Sequence, residues 1–346
     1  ATSYLSWRLI EVPFRRAKSL RRTGYAYSFA LLISGFIVAL GGVFSRSGGL
    51  PNRFDEEITQ LFSDIEWKGK EYESDTIAGV ALGNENPNGK IDFVVWGDSH
   101  GMVLGDLLDD LAVEKGLQGA ALMNPGSCPI PGLWRAMDRP ERITAMKDLA
   151  VRRKDWIIER EVKDVLLVSR WRVLMHGFTE TEVDNWQGPS RYSTLVADTV
   201  GGMPTVESSR ASIRRQLQKL KQEFSSHGIR LWVLVQVPTS STPGVAKKFY
   251  QLRRFASLNH TDFSQDIDLD SYRQARRDQR GIFDQLEDES FIVIDSSSSF
   301  FPNGASLVLY EDVPFYRDED HLTRHGADLY LRDALGEVLD RISQAR

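Results

Sequence analysis

The sequence predicts a three-layer α/β fold with a mostly parallel sheet, preceded by one transmembrane helix. Three observations carry that prediction. Five short apolar runs rich in β-branched or aromatic residues are spaced along residues 91–295, as buried parallel strands are. Stretches with helical periodicity lie between them and after the last one, which is the alternation of an α/β sheet. A single uncharged run of 20 residues, Tyr25–Phe44, stands near the start, and about 20 apolar residues are what a bilayer core requires.

Taken in order, residues 1–24 are basic and end against the span. Arg15, Arg16, Lys18, Arg21 and Arg22 precede it, whereas Arg46 and Arg53 stand apart after it. The positive-inside rule places residues 1–24 in the cytoplasm and residues 46–346 outside. The span covers 25–45, and its Gly35, Gly41 and Gly42 are costly in a soluble helix but suit close packing in a membrane. Residues 46–90 read as a linker and extension, opening with the Gly/Ser/Pro-rich SRSGGLPNRF. The outer domain is 91–346. Its strands are Ile91–Trp96, Gly119–Met123, Asp164–Ser169, Ile229–Val237 and Phe291–Asp295, with helices over 101–116, 141–161, 206–227, 267–288 and 324–343. The last helix carries Leu329, Leu331, Leu335, Val338, Leu339 and Ile342 near helical spacing.

Composition removes several classes of function. Lys plus Arg number 43 against 48 Asp plus Glu, a net charge of −5, so nothing in the balance favours nucleic acid. The mean hydropathy of −0.32 excludes a polytopic membrane protein for this chain. One cysteine, Cys128, excludes an intrachain disulfide and a Cys-rich zinc site.

The chemistry concentrates at two places far apart in sequence. The first strand runs into WGDSHG, which puts Ser99 at a strand's carboxyl end and at the start of a helix. There the helix dipole and free N–H groups favour developing negative charge. A serine needs a base to become a useful nucleophile. Near the other end lies DEDHLTRHGA, residues 318–327. Asp318 and His321, three apart and just before the last helix, have the spacing for a carboxylate to orient an imidazole whose other nitrogen takes the serine proton. Asp98 shapes the turn and His100 packs near the site. His321 and His325, four apart, could also pair on a metal, though a surface or capping histidine is the simpler reading of His325. Cys128 reads as a structural buried thiol. His176, His227 and His260 have no partners in sequence.

GDSH at 97–100 and DEDHLTRHGA at 318–327 resemble the first and last blocks of the SGNH (GDSL-type) hydrolases. The second block is similar to the DxDHL-[ST]-xxGA form of SGNH domains fused behind acyltransferase-3 membrane proteins. SYLSWRLIEVPFRR at 3–16 resembles the SYRxIExPFR segment that ends the acyltransferase-3 membrane domain. The resemblance covers nearly the whole chain and implies a C-terminal piece of such a protein, with an SGNH-hydrolase-like domain over 91–346. It implies Ser99 as nucleophile, His321 as base and Asp318 as its partner. It also implies oxyanion donors at the Ser99 N–H and at Gly126, in the loop NPGSCPIPG (124–132). Where the wider superfamily places an Asn, this sequence has Arg170 and Trp171, which are assigned to substrate binding. Arg170 either meets an anionic group or forms a structural ion pair. Trp186 and Tyr192 in the irregular 171–205 insertion suit a sugar-binding rim or ordinary loop packing.

The function implied is an O-acyltransferase, with acetyl the group expected, that modifies a cell-surface polysaccharide through a Ser99 acyl-enzyme in the periplasm of a bacterium, anchored to the inner membrane. Acetyl-CoA is the implied acyl donor, handled by the membrane domain, and this chain carries no cofactor or metal of its own. A membrane-anchored carbohydrate O-acetylesterase shares the same intermediate and differs only in the acceptor. A glycan-binding module with an inactive site is the non-enzymatic alternative. The charge asymmetry makes one testable statement: an alkaline phosphatase fused after Phe54 is active, and a reporter that works only in the cytoplasm is silent there. Strong activity of the cytoplasmic reporter reverses the orientation.

Overall fold

The computed structural model describes residues 23–47, 71–84, 89–135, 138–178, 194–199, 203–240, 267, 269–301, 309–310 and 313–345, with Tyr4, Trp7, Arg8 and Val12 ahead of them. The basic cluster at 15–22, most of the 3–16 segment, linker residues 48–54, Trp186, Tyr192 and His260 lie outside the described residues. The chain divides into two compact units, Ala1–Ser63 and Asp64–Arg346.

In the first unit, α1 (Thr23–Arg46) is one helix long and apolar enough to cross a membrane. Leu31, Leu32, Phe36, Ile37 and Val38 all lie exposed around it. A helix that is apolar on every side finds its complement in lipid or in a large core.

The second unit is built on a six-stranded sheet. Its strands are β1 (Val80–Gly83), β2 (Phe93–Gly97), β3 (Gln118–Met123), β4 (Asp164–Val168), β5 (Arg230–Leu234) and β6 (Phe291–Ile294). Their order across the sheet is β1-β3-β2-β4-β5-β6. All neighbours are parallel except the β1 edge, which pairs antiparallel with β3. All five predicted strands are present. The helices that follow them are α2 (Ser99–Met102), α3 (Gly105–Glu114), α4 (Pro140–Glu159), α5 (Trp171–His176), α6 (Val206–Ser226), α7 (Leu269–Phe283), α8 (Ser297–Phe300) and α9 (Arg324–Gln344).

The period-2 pleat sends alternate residues of each strand to opposite faces, and each face has its own core. Phe93, Val95, Ala121, Leu166, Val168 and Leu234 pack with Leu107, Leu108 and Leu111 of α3 and Leu331, Leu335 and Leu339 of α9. Val94, Trp96, Leu122, Val165, Leu167 and Val233 pack with Ile157 of α4, Leu174 of α5, Ile213 and Leu217 of α6 and Phe283 of α7. These are the two outer layers of the three-layer fold.

Three local readings are corrected. The outer domain starts well before residue 91, because β1 is a strand of its sheet and Glu73 bridges Met123 at the end of β3. The four-residue strand VALG has too little pattern to stand out from a turn-rich context. The 101–116 helix is two helices: Val103 and Leu104 close α2 with N–H bonds to Ser99 O and Gly101 O, and α3 begins at Gly105. On α9, Leu329 faces solvent while Tyr330 is buried.

Arg153 ties the early segment down. This fully buried α4 side chain donates to Ser74 O and to Thr76 O, the latter from Nη2 at 3.1 Å and Nε at 3.2 Å. Burial lowers its pKa to about 10, partly offset by the charge of Asp75. Arg153→Ala strands two carbonyls and leaves a cavity. It is expected to destabilise the second unit by about 2–4 kcal/mol, read as a lower Tm with earlier proteolysis near residues 74–79. An unchanged Tm removes Arg153 from this role.

Candidate active site

The strand order places the site. The crossover from β2 goes to β3 on one side, and the chain then returns to β4 on the other side of β2. The carboxyl ends of β2 and β4 therefore flank the crevice that opens where the winding reverses. Gly97 permits the close approach, since a Cβ there would lie 2.6 Å from Val168 O.

Asp98 caps α2 from an extended conformation (φ −101°, ψ −153°). Its Oδ1 accepts from His100 N at 2.8 Å, and its Oδ2 accepts from Ser169 Oγ at 2.7 Å and Arg170 N at 2.8 Å. One buried carboxylate thus satisfies the first helical turn and both strand ends. Ser99 follows as the first helical residue. Among the described residues its N–H, like that of Gly126, donates to no protein acceptor.

The loop before α9 brings in the histidine. Tyr316 donates its hydroxyl to Pro238 O at 3.0 Å, and Arg317 N donates to His321 O at 2.9 Å. Thr323 caps α9 by accepting from Gly326 N at 3.1 Å while donating to Pro314 O at 2.8 Å. At Gly326 a Cβ would fall 2.1 Å from Phe315 O, so only glycine lets the helix start this close to the loop.

This anchoring leaves His321 Nε2 2.9 Å from Ser99 Oγ, across 222 positions of sequence. Its Nδ1 lies 2.9 Å from both carboxylate oxygens of Asp318, and Asp318 Oδ1 also accepts from His321 N at 2.8 Å. The imidazole is 7 % exposed. Burial disfavours its cation, but the Asp318 hydrogen bond and the charge of Asp320 prevail and hold its pKa above the ordinary 6.5. For Asp318 burial pushes the other way, and the hydrogen bond to His321 leaves it below the usual carboxylate value. Serine, imidazole and carboxylate thus stand in the order that takes a proton from the serine and stabilises the resulting imidazolium.

A family model described as the SGNH domain fused to AT3 domains matches residues 66–334. The chain belongs to this family. The matched segment begins ahead of β1 and so agrees with the earlier start of the outer domain. Among solved structures, the periplasmic domain of a lipopolysaccharide acetyltransferase from Salmonella ser. Paratyphi A is similar at 14 % identity, with a TM-score of 0.47, 72 % of this chain and 84 % of that chain covered. A GDSL-like lipase from Bacteroides thetaiotaomicron is similar at 9 % identity, with a TM-score of 0.39, 75 % of this chain and 92 % of that one covered. Both are distant likenesses. No curated protein matches the sequence.

Around Ser99, His321 and Asp318 the other residues singled out from sequence fall as follows. Arg170 Nε bonds Asp320 Oδ2, which is the ion-pair alternative. Trp171 is a correction: it is 0 % exposed, donates Nε1–H to Leu234 O at 2.9 Å and packs edge-on against Phe283. A ring so enclosed offers no face to a substrate. Gly126 O accepts from Arg135 at 3.1 Å, which fixes the turn that carries the Gly126 N–H. Cys128 packs against the core, and burial pushes its thiol up to about 12. It is not a ready nucleophile. His325 is exposed on α9, whereas both ring nitrogens of His321 are engaged, so the two do not form a metal pair.

In sequence Asp320 is the second Asp of the DxDHL block, with no role of its own assigned. In the structure it is 1 % exposed, with His100 Nε2 3.4 Å from its Oδ2 and His321 Nδ1 3.4 Å from its Oδ1. Among the described residues, His100, Asp320 and His321 form a cluster of metal-ligating groups. Arg170 already occupies the carboxylate of that cluster.

The raised pKa fixes the sign of the pH dependence. Only neutral His321 accepts the serine proton, so acylation of Ser99 by p-nitrophenyl acetate rises as pH climbs through a midpoint above 6.5 and is lost as pH falls below it. A midpoint at or below 6.5 contradicts the arrangement of Asp318 and Asp320 around the ring.

Proposed function

We propose that this chain is an O-acyltransferase that modifies a cell-surface polysaccharide, with acetyl the group moved, through a covalent intermediate on Ser99. The observation that carries this reading is the Ser99 Oγ···His321 Nε2 distance of 2.9 Å with Asp318 on the opposite ring nitrogen. Membership of the family fused to AT3 domains supports it.

In the first half-reaction His321 Nε2 takes the Ser99 proton as Oγ attacks the acyl carbonyl. The N–H groups of Ser99 and Gly126 are assigned to the developing oxyanion at the helix start. Collapse expels the donor's leaving group, which receives the proton from His321, and leaves an acyl ester on Ser99. In the second half a sugar hydroxyl gives its proton to His321 and attacks that ester. The glycan leaves acylated and the proton returns to Ser99 Oγ. Acetyl-CoA is assigned as the ultimate acyl source, through an AT3 membrane domain. The charge asymmetry around α1 supports a periplasmic site held at the bacterial inner membrane. Water in place of the sugar gives an esterase from the same intermediate, and the triad geometry serves both.

The test is a pulse of p-nitrophenyl acetate followed by intact-mass spectrometry, with glycan acylation measured in parallel. One acetyl adduct mapping to Ser99 is expected. Ser99→Ala and His321→Ala each lose at least about 10³-fold in rate, Asp318→Asn somewhat less, and combined losses do not add because the three act as a unit. Cys128→Ser and His325→Ala keep most activity. Undiminished glycan acylation by Ser99→Ala would falsify the mechanism. Free acetate with no acylated glycan would establish the hydrolytic reading.

A further inference from the structure

His321 Nδ1 faces two carboxylates. Asp318 holds it at 2.9 Å through both oxygens, and Asp320 Oδ1 stands behind at 3.4 Å. A carboxylate as buried as Asp320 needs a countercharge, and Arg170 Nε supplies one on Oδ2 from the end of β4. His100, from α2, approaches the same Oδ2 at 3.4 Å, and its ring lies 4.7 Å from that of His321. Two carboxylates and one guanidinium therefore meet around the imidazole, with His100 beside them.

We propose that Asp320 and Arg170 are a pair of positioning residues that set the basicity of His321, Asp320 favouring the imidazolium and Arg170 opposing it. The proposal builds on the catalytic reading of this site but is read on the imidazole itself. It makes a demand that simple scaffolding does not: removing the two charges shifts the His321 titration in opposite directions. The electrostatic balance supports the ordering of the two. Asp320 acts on His321 more strongly than Arg170 does, and the Arg170, His100 and His321 charges together hold buried Asp320 well below the usual carboxylate range. Among the described residues, the other ionisable groups on the elements packed about His321 are Asp98 at the end of β2, His100 on α2, and Tyr316, Arg317, Asp318 and Glu319 of its own loop. None of these is changed by the two substitutions.

The experiment uses the full chain in detergent, labelled with ¹³C at histidine Cε1. The sequence has six histidines, and the His321 signal is assigned by its loss in His321→Gln. Asp320→Asn is expected to move the His321 midpoint to lower pH, and Arg170→Gln to move it to higher pH. Either single change breaks the buried Arg170–Asp320 ion pair and can prevent folding. The double variant Arg170→Gln/Asp320→Asn removes both charges together, and its midpoint is expected below that of the wild type because the Asp320 effect is the larger. In the same variants the pH midpoint of Ser99 acetylation follows the NMR midpoint. A folded double variant that titrates like the wild type overturns the proposal, as does a shift of both single variants in the same direction. An unshifted midpoint with the Ser99 adduct intact defeats only this proposal. Shifted midpoints with no adduct on Ser99 defeat only the acyl-enzyme.

Discussion

The site depends on one buried carboxylate. Asp98 accepts a backbone hydrogen bond from the first turn of α2, a hydroxyl from Ser169 and a backbone N–H from Arg170. These donors come from the helix that follows β2 and from the end of β4, where the two strands part at the reversal of the winding. Their N–H groups point into a crevice where no ladder can satisfy them. A single side chain with two oxygens and several lone pairs closes that deficit. In doing so it fixes the backbone of Ser99 relative to the β4 corner. Asp98 is a structural residue, and Ser99 inherits its position from this cap.

The His321 half of the site depends on a different kind of constraint. His321 belongs to a loop, and a loop holds a ring to a few tenths of an ångström only when its ends are locked. Here Tyr316 reaches Pro238, Thr323 bonds both Pro314 and the α9 turn, and Gly326 admits Phe315 O at a distance no side chain allows. The α9 helix is in turn set on the sheet by Leu331, Leu335 and Leu339, which share a core with α3. Packing of an ordinary amphipathic helix thus becomes precision at the base.

Buried charge is handled by the same rule throughout the domain. Asp164 at the start of β4 accepts from Arg230 at 2.8 and 2.9 Å and from the Trp232 indole at 2.8 Å. Arg153 is met by two carbonyls, and Arg170 by Asp320. In each case the partner comes from another segment of the chain, so the charges link elements that the apolar cores alone leave free to slide. At the active site this linking takes on chemistry, because the Arg170–Asp320 pair lies against the imidazole.

The sequence by itself determined the five central strands and the long helices, and it singled out Ser99, His321 and Asp318, which the structure brings together. Buried parallel strands must be short and apolar, and α6 and α9 show a helical period over 21 residues each. A serine at a strand end and a histidine before the last helix are both local patterns, readable one at a time. The membrane-length helix is legible for the same reason. The tertiary structure decided what depends on who meets whom. The edge strand β1 is too short to have a pattern, and it exists because β3 offers it a partner. The role of Trp171 turned on enclosure by Leu234 and Phe283, which no spacing encodes. Arg170 could be read from sequence as a ligand for an anion or half of an ion pair, and only the approach of Asp320, 150 positions later, chose between them. Local interactions are written in periodicity and caps, whereas the pairing of buried charges is settled by the packing that first removes them from water.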